Sequence, residues 1–219
     1  MGNKYDATYD ELYAIELLKG SFLSDVDEFI KSESPDWISG DGGIGIEVTR
    51  AQNSYEGKVW SAWNNNVGKE ISKINRAEKI VLAKHASYED GKLSVCGVYE
   101  DAEITLKTLK EKILNKIEKL NKNFRECESN RLFVFLGSAV SCGEIWEIIM
   151  SIQEEQRKRD KYFDKIYILN NEDFYRYDMD FYNETFCHLI ISDEERKNIK
   201  IKALEMRNAK KWKNGDIYK

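Results

Sequence analysis

Apolar and polar positions run through this chain in two rhythms, one helical and one extended, and the switches between them define the elements. "YDELYAIELLKG" follows Thr8, which stands three residues before Glu11 in the spacing of a reciprocal N-terminal cap, and it closes at Gly20, so a helix is predicted. "DEFIKSES" reads as a short strand. "GDGG" (40–43) gives the backbone freedom of a tight turn. "IGIEVT" then alternates at period two, placing Gly45, Glu47 and Thr49 on one face and Ile44, Ile46 and Val48 on the other.

Val59, Trp63, Val67 and Ile71 recur at four-residue steps and predict a helix in "YEGKVWSAWNNNVGKEISKI". "KIVLAKHASYEDGKLSVCGVY" reads as two strands about the Asp90–Gly91 turn. The whole stretch 53–101 is read as an insertion or elaboration. Leu106, Leu109, Ile113, Ile117 and Leu120 form an apolar stripe on a long amphipathic helix. "RLFVFLGS" and "FDKIYILN" are nearly continuous apolar runs suited to strands buried on both faces, with the helical "CGEIWEIIMSIQEEQRKR" between them. "EDFYRYDMDFYNETFCHLII" is aromatic-rich and ambiguous, with a further strand at its end. "SDEERKNIKIKALEMRNAKKW" opens on the Ser192/Glu195 capping spacing as a closing helix, and the tail after Trp212 is read as loose. Helix, strand meander, helix, strand, helix, strand is the order of an α/β sandwich around a mixed sheet.

Composition bounds the chemistry. With 219 residues, 42% hydrophobic and 33% charged, the chain suits one sizeable domain. No apolar run is long enough for a membrane helix, and "MGNKYDATYDELYA" lacks the basic-then-apolar pattern of a signal peptide, so a cytoplasmic protein without a membrane partner is expected. Gly2 does not make an acylation signal, because Thr8 comes too late. Cys96, Cys127, Cys142 and Cys187 have no chelating spacing and are expected to be buried free thiols. His85 and His188 are too far apart in sequence to suggest a histidine-centred metal site or triad. Net charge is −5, which disfavours polyanions at long range. Lys107, Lys110, Lys112, Lys116, Lys119 and Lys122 nevertheless cluster, as a solvated helix face or a basic patch. Trp60, Trp63 and Trp146 read as core or interface residues rather than base-stacking platforms.

Asp36 follows the chain's single proline, and Glu47 comes after ten intervening residues. That length fits a strand end, a turn and a returning strand. If the two strands pair, both carboxylates point to one side, where they repel each other unless a cation lies between them. Mg²⁺ or Mn²⁺ takes such oxygen ligands and polarises phosphoryl oxygens. The plainer alternative makes Pro35-Asp36 a turn and Glu47 the solvent-facing residue of an edge strand.

Pro35-Asp36, ten residues, then Glu47-Val48-Thr49 resembles the PD-(D/E)XK nuclease superfamily, in particular a branch of small bacterial and phage proteins with "SESPDWI…IGIEVT". The resemblance covers the first helix, the meander, the long helix and the strand at 131–137. It implies a restriction-endonuclease-like α/β/α sandwich around a mixed central sheet. It further implies Mg²⁺- or Mn²⁺-dependent hydrolysis of DNA phosphodiesters, or less favourably RNA. Asp36 and Glu47 then look like metal ligands, with Glu11 on the first helix as a third and Glu16 in reserve. Thr49 stands where the family carries lysine and brings no positive charge. Lys116 or Lys119 from the long helix is the expected substitute, Gln52 a weaker one, and Lys112, Lys116, Lys119 and Gln52 the expected nucleic-acid contacts. A homodimer is compatible with the resemblance. The missing lysine and the acidic charge motivate a second reading, a nuclease-like fold without catalysis that serves as a nucleic-acid-binding or regulatory module. A small-metabolite α/β enzyme ranks last, because "GDGGIG" precedes a strand instead of joining strand to helix.

Overall fold

Thr8 caps the first helix, α1 (Tyr9–Ser21), in both directions: its hydroxyl accepts from the Glu11 N–H at 3.2 Å and its own N–H donates to Glu11 Oε2 at 2.8 Å. The computed structural model describes residues 7–24, 26, 28–52, 54–97, 101–137, 140–179, 185–210 and 213–214. After α1 come three antiparallel strands, β1 (Phe29–Lys31), β2 (Trp37–Ser39) and β3 (Ile44–Ala51). A long excursion follows through α2 (Ser54–Asn66), a 3-10 turn, α3 (Arg76–Leu82), the hairpin β4 (Ala86–Glu89) and β5 (Lys92–Cys96), and α4 (Ala102–Asn123). The chain then enters β6 (Ser129–Leu136), crosses by α5 (Cys142–Gln156) to β7 (Lys165–Asn170), and returns antiparallel through β8 (Asp173–Asp178) and β9 (Thr185–Ile190). Helix α6 (Asp193–Ala209), with the Ser192/Glu195 capping box in place, precedes β10 (Lys213–Asn214).

The main sheet has eight strands in the order β10-β1-β2-β3-β6-β7-β8-β9. Its centre, β3-β6-β7, is parallel and its flanks are largely antiparallel, so it is mixed and lies between two helical layers. Helices α1, α2 and α6 cover one face with a core that includes Leu12, Trp37, Ile46, Val48, Phe133 and Phe174. Helices α4 and α5 cover the other over Leu132, Val134, Ile166 and Ile168. β6 and β7, buried on both faces, are the continuous apolar runs of the sequence. This is the α/β/α sandwich that the element order predicts. Among the described residues, no helix is long and apolar enough to cross a membrane.

Three expectations need correction. "RAEKIVL" is helix α3 and not a strand, because Asn75 caps it by accepting from the Glu78 N–H at 2.9 Å; the predicted hairpin survives as β4–β5, and 98–100 lie outside the described residues. The tail is not wholly loose, since Lys213 and Asn214 pair in parallel with Ile30 and Lys31. All four cysteines are free, but only Cys96 is buried, and Cys142 is exposed. Trp60 and Trp63 lie in the core, edge-to-face at 5.5 Å.

One glycine fixes how the meander closes. A Cβ on Gly45 would stand 2.7 Å from Pro35 Cγ and 2.9 Å from Cys127 Sγ, so the loop before β2 presses directly onto β3. Gly45→Ala is expected to lower stability by about 1–3 kcal/mol through overpacking, measured as a drop in the denaturant midpoint. An unchanged midpoint would show that the loop can yield.

Candidate functional site

The pairing of β2 with β3 stops at Trp37 opposite Ile46, and the same register carries Asp36 to the position opposite Glu47. Beyond that point β3 runs on without β2 beside it. The Val48 N–H on that open edge donates to Asp36 Oδ2 at 2.8 Å, so a carboxylate takes the place of the missing strand partner. This bond pins Asp36 against β3 at the residue next to Glu47.

Glu47 is 5% exposed and points to the α4 face, beside Leu132 of β6. It is neither solvent-facing nor on an edge strand, which removes the plainer alternative for this residue. Lys116 reaches down from α4 and donates to Glu47 Oε1. The other oxygen, Oε2, is buried without a hydrogen-bond partner. A buried carboxylate oxygen without a donor is costly, and such an atom calls for a ligand, a water or a functional reason.

On the other side of Asp36 lies Lys31, a residue the sequence pattern did not single out. Its side chain is only 6% exposed and forms ion pairs with Glu11 Oε2 at 3.3 Å and Asp36 Oδ1 at 3.4 Å. Its ammonium also donates to the Ser32 carbonyl at 3.0 Å and the Asp36 carbonyl at 3.3 Å. Glu11, Lys31, Asp36, Glu47 and Lys116 therefore form one row of charges from α1 across the meander to α4, with the like-charged Asp36 and Glu47 side by side and an ammonium on each flank.

The remaining candidates are placed differently. Glu16 lies farther along α1, in the groove against α6, paired with Lys19 at 4.0 Å. Lys112 is half-buried and Lys119 exposed on α4. Thr49 and Gln52 border a cavity of about 250 Å³ that also meets Thr8, Glu11, Val48 and Trp60. The Gln52 Oε1 atom is buried without a partner. Asp10 and Arg50, also unflagged by the sequence pattern, brace this wall: Arg50 binds Asp10 through Nε at 3.1 Å and Nη2 at 2.8 Å, and its guanidinium stacks on Trp60.

Burial and then the charge of Asp36 push the Glu47 carboxyl from 4.5 up to about 7, with Lys116 and Lys31 pulling against them. The same two causes raise Glu11 to about 7, opposed by Lys31 and the cap. Both acids hold protons more tightly in the folded than in the unfolded chain. Stability is therefore expected to fall as pH rises from about 4.5 to about 7. Thermal unfolding in metal-free buffer across that window should show a falling midpoint, at roughly 2–4 °C per kcal/mol lost, and Glu47→Gln should flatten the slope. A midpoint that rises through the window contradicts the assignment.

The chain matches no family model, no curated protein and no solved structure. Among the described residues, no group of three or more His, Cys, Asp or Glu side chains is arranged to hold a metal ion. What the geometry offers a cation is a pair of carboxylates, Asp36 and Glu47, one of them with an orphan oxygen. Mg²⁺ binds commonly through one or two carboxylates while keeping several waters, so this donor set suits a hard divalent ion.

Proposed function

We propose that this protein is a divalent-metal-dependent nuclease of the restriction-endonuclease-like kind, acting on phosphodiesters of DNA in preference to RNA, in the cytoplasm. The observation that carries the reading is the juxtaposition of Asp36, held by the Val48 N–H, with buried Glu47, whose second oxygen is unpartnered. The sequence likeness around Pro35-Asp36 and Glu47-Val48-Thr49 supports it.

In this reading Asp36 and Glu47 hold Mg²⁺ or Mn²⁺, which supplies Lewis-acid polarisation of the phosphoryl oxygen and a more acidic water. The protein's own residues do the rest. The Val48 N–H fixes the direction of Asp36. Lys116, bonded to Glu47 at the place where Thr49 cannot supply charge, offers an ammonium to the charge developing on phosphate. Gln52, which borders the adjoining cavity with Thr49, would contact a flanking nucleotide. Exposed Lys119 contributes only long-range attraction.

Cleavage of supercoiled plasmid in Mg²⁺ or Mn²⁺, stopped by a chelator, tests the proposal. Lys116→Ala is expected to lower the cleavage rate about 10²-fold or more, as the loss of one preorganised donor does, while Lys119→Ala stays within about twofold. Equal rates for the two variants would remove Lys116 from the mechanism.

A second reading has one observation in its favour: the acids already have internal ammonium partners in Lys31 and Lys116. A nuclease-like fold that binds nucleic acid without cutting it would need no metal. It predicts no Mn²⁺ isotherm at millimolar concentration, and an isotherm abolished by Glu47→Ala would argue against it.

A further inference from the structure

Among the described residues, Lys31 is the one lysine or arginine that is buried. It lies on a three-residue strand buried throughout, and its ammonium is met by four oxygens: Glu11 Oε2, Asp36 Oδ1 and the carbonyls of Ser32 and Asp36, at 3.0–3.4 Å. An unpaired ammonium this deeply buried would be strongly disfavoured, so the oxygens and the lysine require each other. The donor set is also what a hard cation takes: two carboxylate oxygens and two carbonyls. Glu11 is already committed, because the same Oε2 accepts the Thr8 N–H at 2.8 Å and closes the cap of α1.

We propose that Lys31 is the resident cation of an oxygen cage formed by Glu11, Asp36 and the Ser32 carbonyl, which positions Asp36 toward Glu47 and bars Glu11 from binding a divalent ion. The acid cluster thus has two cation positions. One is filled permanently by a tethered ammonium. The other, between Asp36 and Glu47, is the exchangeable one; that half rests on the metal reading above, whereas the cage itself does not. Lys31 acts through Asp36 and is a positioning residue.

The test is Mn²⁺ titration by calorimetry of wild type, Lys31→Ala, Glu11→Gln and the double variant Lys31→Ala/Glu11→Gln. Lys31→Ala should bind one more Mn²⁺ than wild type, and the double variant should lose that added ion. Glu11→Gln alone should bind Mn²⁺ within about threefold of wild type. A stoichiometry unchanged by Lys31→Ala overturns the proposal, and so does a tenfold or larger loss of wild-type binding in Glu11→Gln. The latter comparison serves even if Lys31→Ala fails to fold. If wild type binds no Mn²⁺ while Lys31→Ala gains an ion that the double variant loses, the cage stands and the nuclease reading falls. If neither wild type nor Lys31→Ala binds, both fall.

Discussion

Replacing Asp36 or Glu47 by alanine is expected to reduce Mg²⁺-dependent cleavage about 10³-fold each, with little loss of nucleic-acid binding. The size follows from what the pair would hold. A bound divalent ion contributes several kcal/mol of transition-state stabilisation, and each 1.36 kcal/mol is a factor of ten, so losing about 4 kcal/mol removes about three decades. Asp36 and Glu47 would act on the same ion in the proposed mechanism, so the double variant should be scarcely worse than either single one. The fold should persist in both variants: Glu47→Ala removes a buried acid that the charge of Asp36 repels, and Asp36→Ala leaves Lys31 held by Glu11 and the main-chain carbonyls of residues 32 and 36. Lys116 would lose its partner in Glu47→Ala, but at 17% side-chain exposure it can turn to water. Single-turnover cleavage with a labelled duplex, beside an electrophoretic binding assay in Ca²⁺, separates chemistry from binding. Variants that cut as fast as wild type would mean that the observed cutting comes from elsewhere.

The largest effect on stability is expected at Phe133. This side chain is fully buried on β6, the strand joined in parallel to β3 on one side and β7 on the other. It faces the α1 side of the sheet and meets Phe135 at 4.8 Å and Phe174 at 5.6 Å between ring centroids. Phe133→Ala leaves a cavity that neighbouring strands cannot close, at a cost of about 3–5 kcal/mol. That is a large share of the ~5–15 kcal/mol by which domains are stable. Because Phe133 pairs in register with Val48, the residue that pins Asp36, the variant should also cut poorly at temperatures where it remains folded. Urea unfolding measures the first effect, and a loss under 1 kcal/mol would show that the core relaxes into the gap.

The sequence made the sheet legible wherever burial alone decided the pattern. β6 and β7 are covered on both faces and read as apolar runs; β3 has Glu47 on one face and Ile46 and Val48 on the other, which gives its alternation. The caps at Thr8 and Ser192 are local hydrogen bonds and could be read from spacing. "KIVL" misled because its β-branched residues favour strands, while the Asn75 cap and the packing of Leu82 into the core favour a helix. For the site, Asp36 and Glu47 were visible because one hairpin brings them opposite each other. Lys116 was reachable from its position beside the α4 stripe. Lys31 was not: beside the adjacent Ser32 carbonyl, its carboxylate partners come from α1 and from the far side of a loop, and only the full fold brings those together. One local trace existed, a lysine following Phe29 and Ile30 with an acidic loop just after it. The Asp10–Arg50–Asn64 brace is likewise tertiary, spanning α1, β3 and α2.

A crystal soaked in Mn²⁺ and recorded at the manganese absorption edge tests the central claim most directly. The account predicts an anomalous peak within coordination distance of both an Asp36 oxygen and Glu47 Oε2, with Lys31 still on Glu11. No peak there, with Glu47 Oε2 still buried and unliganded, would contradict it.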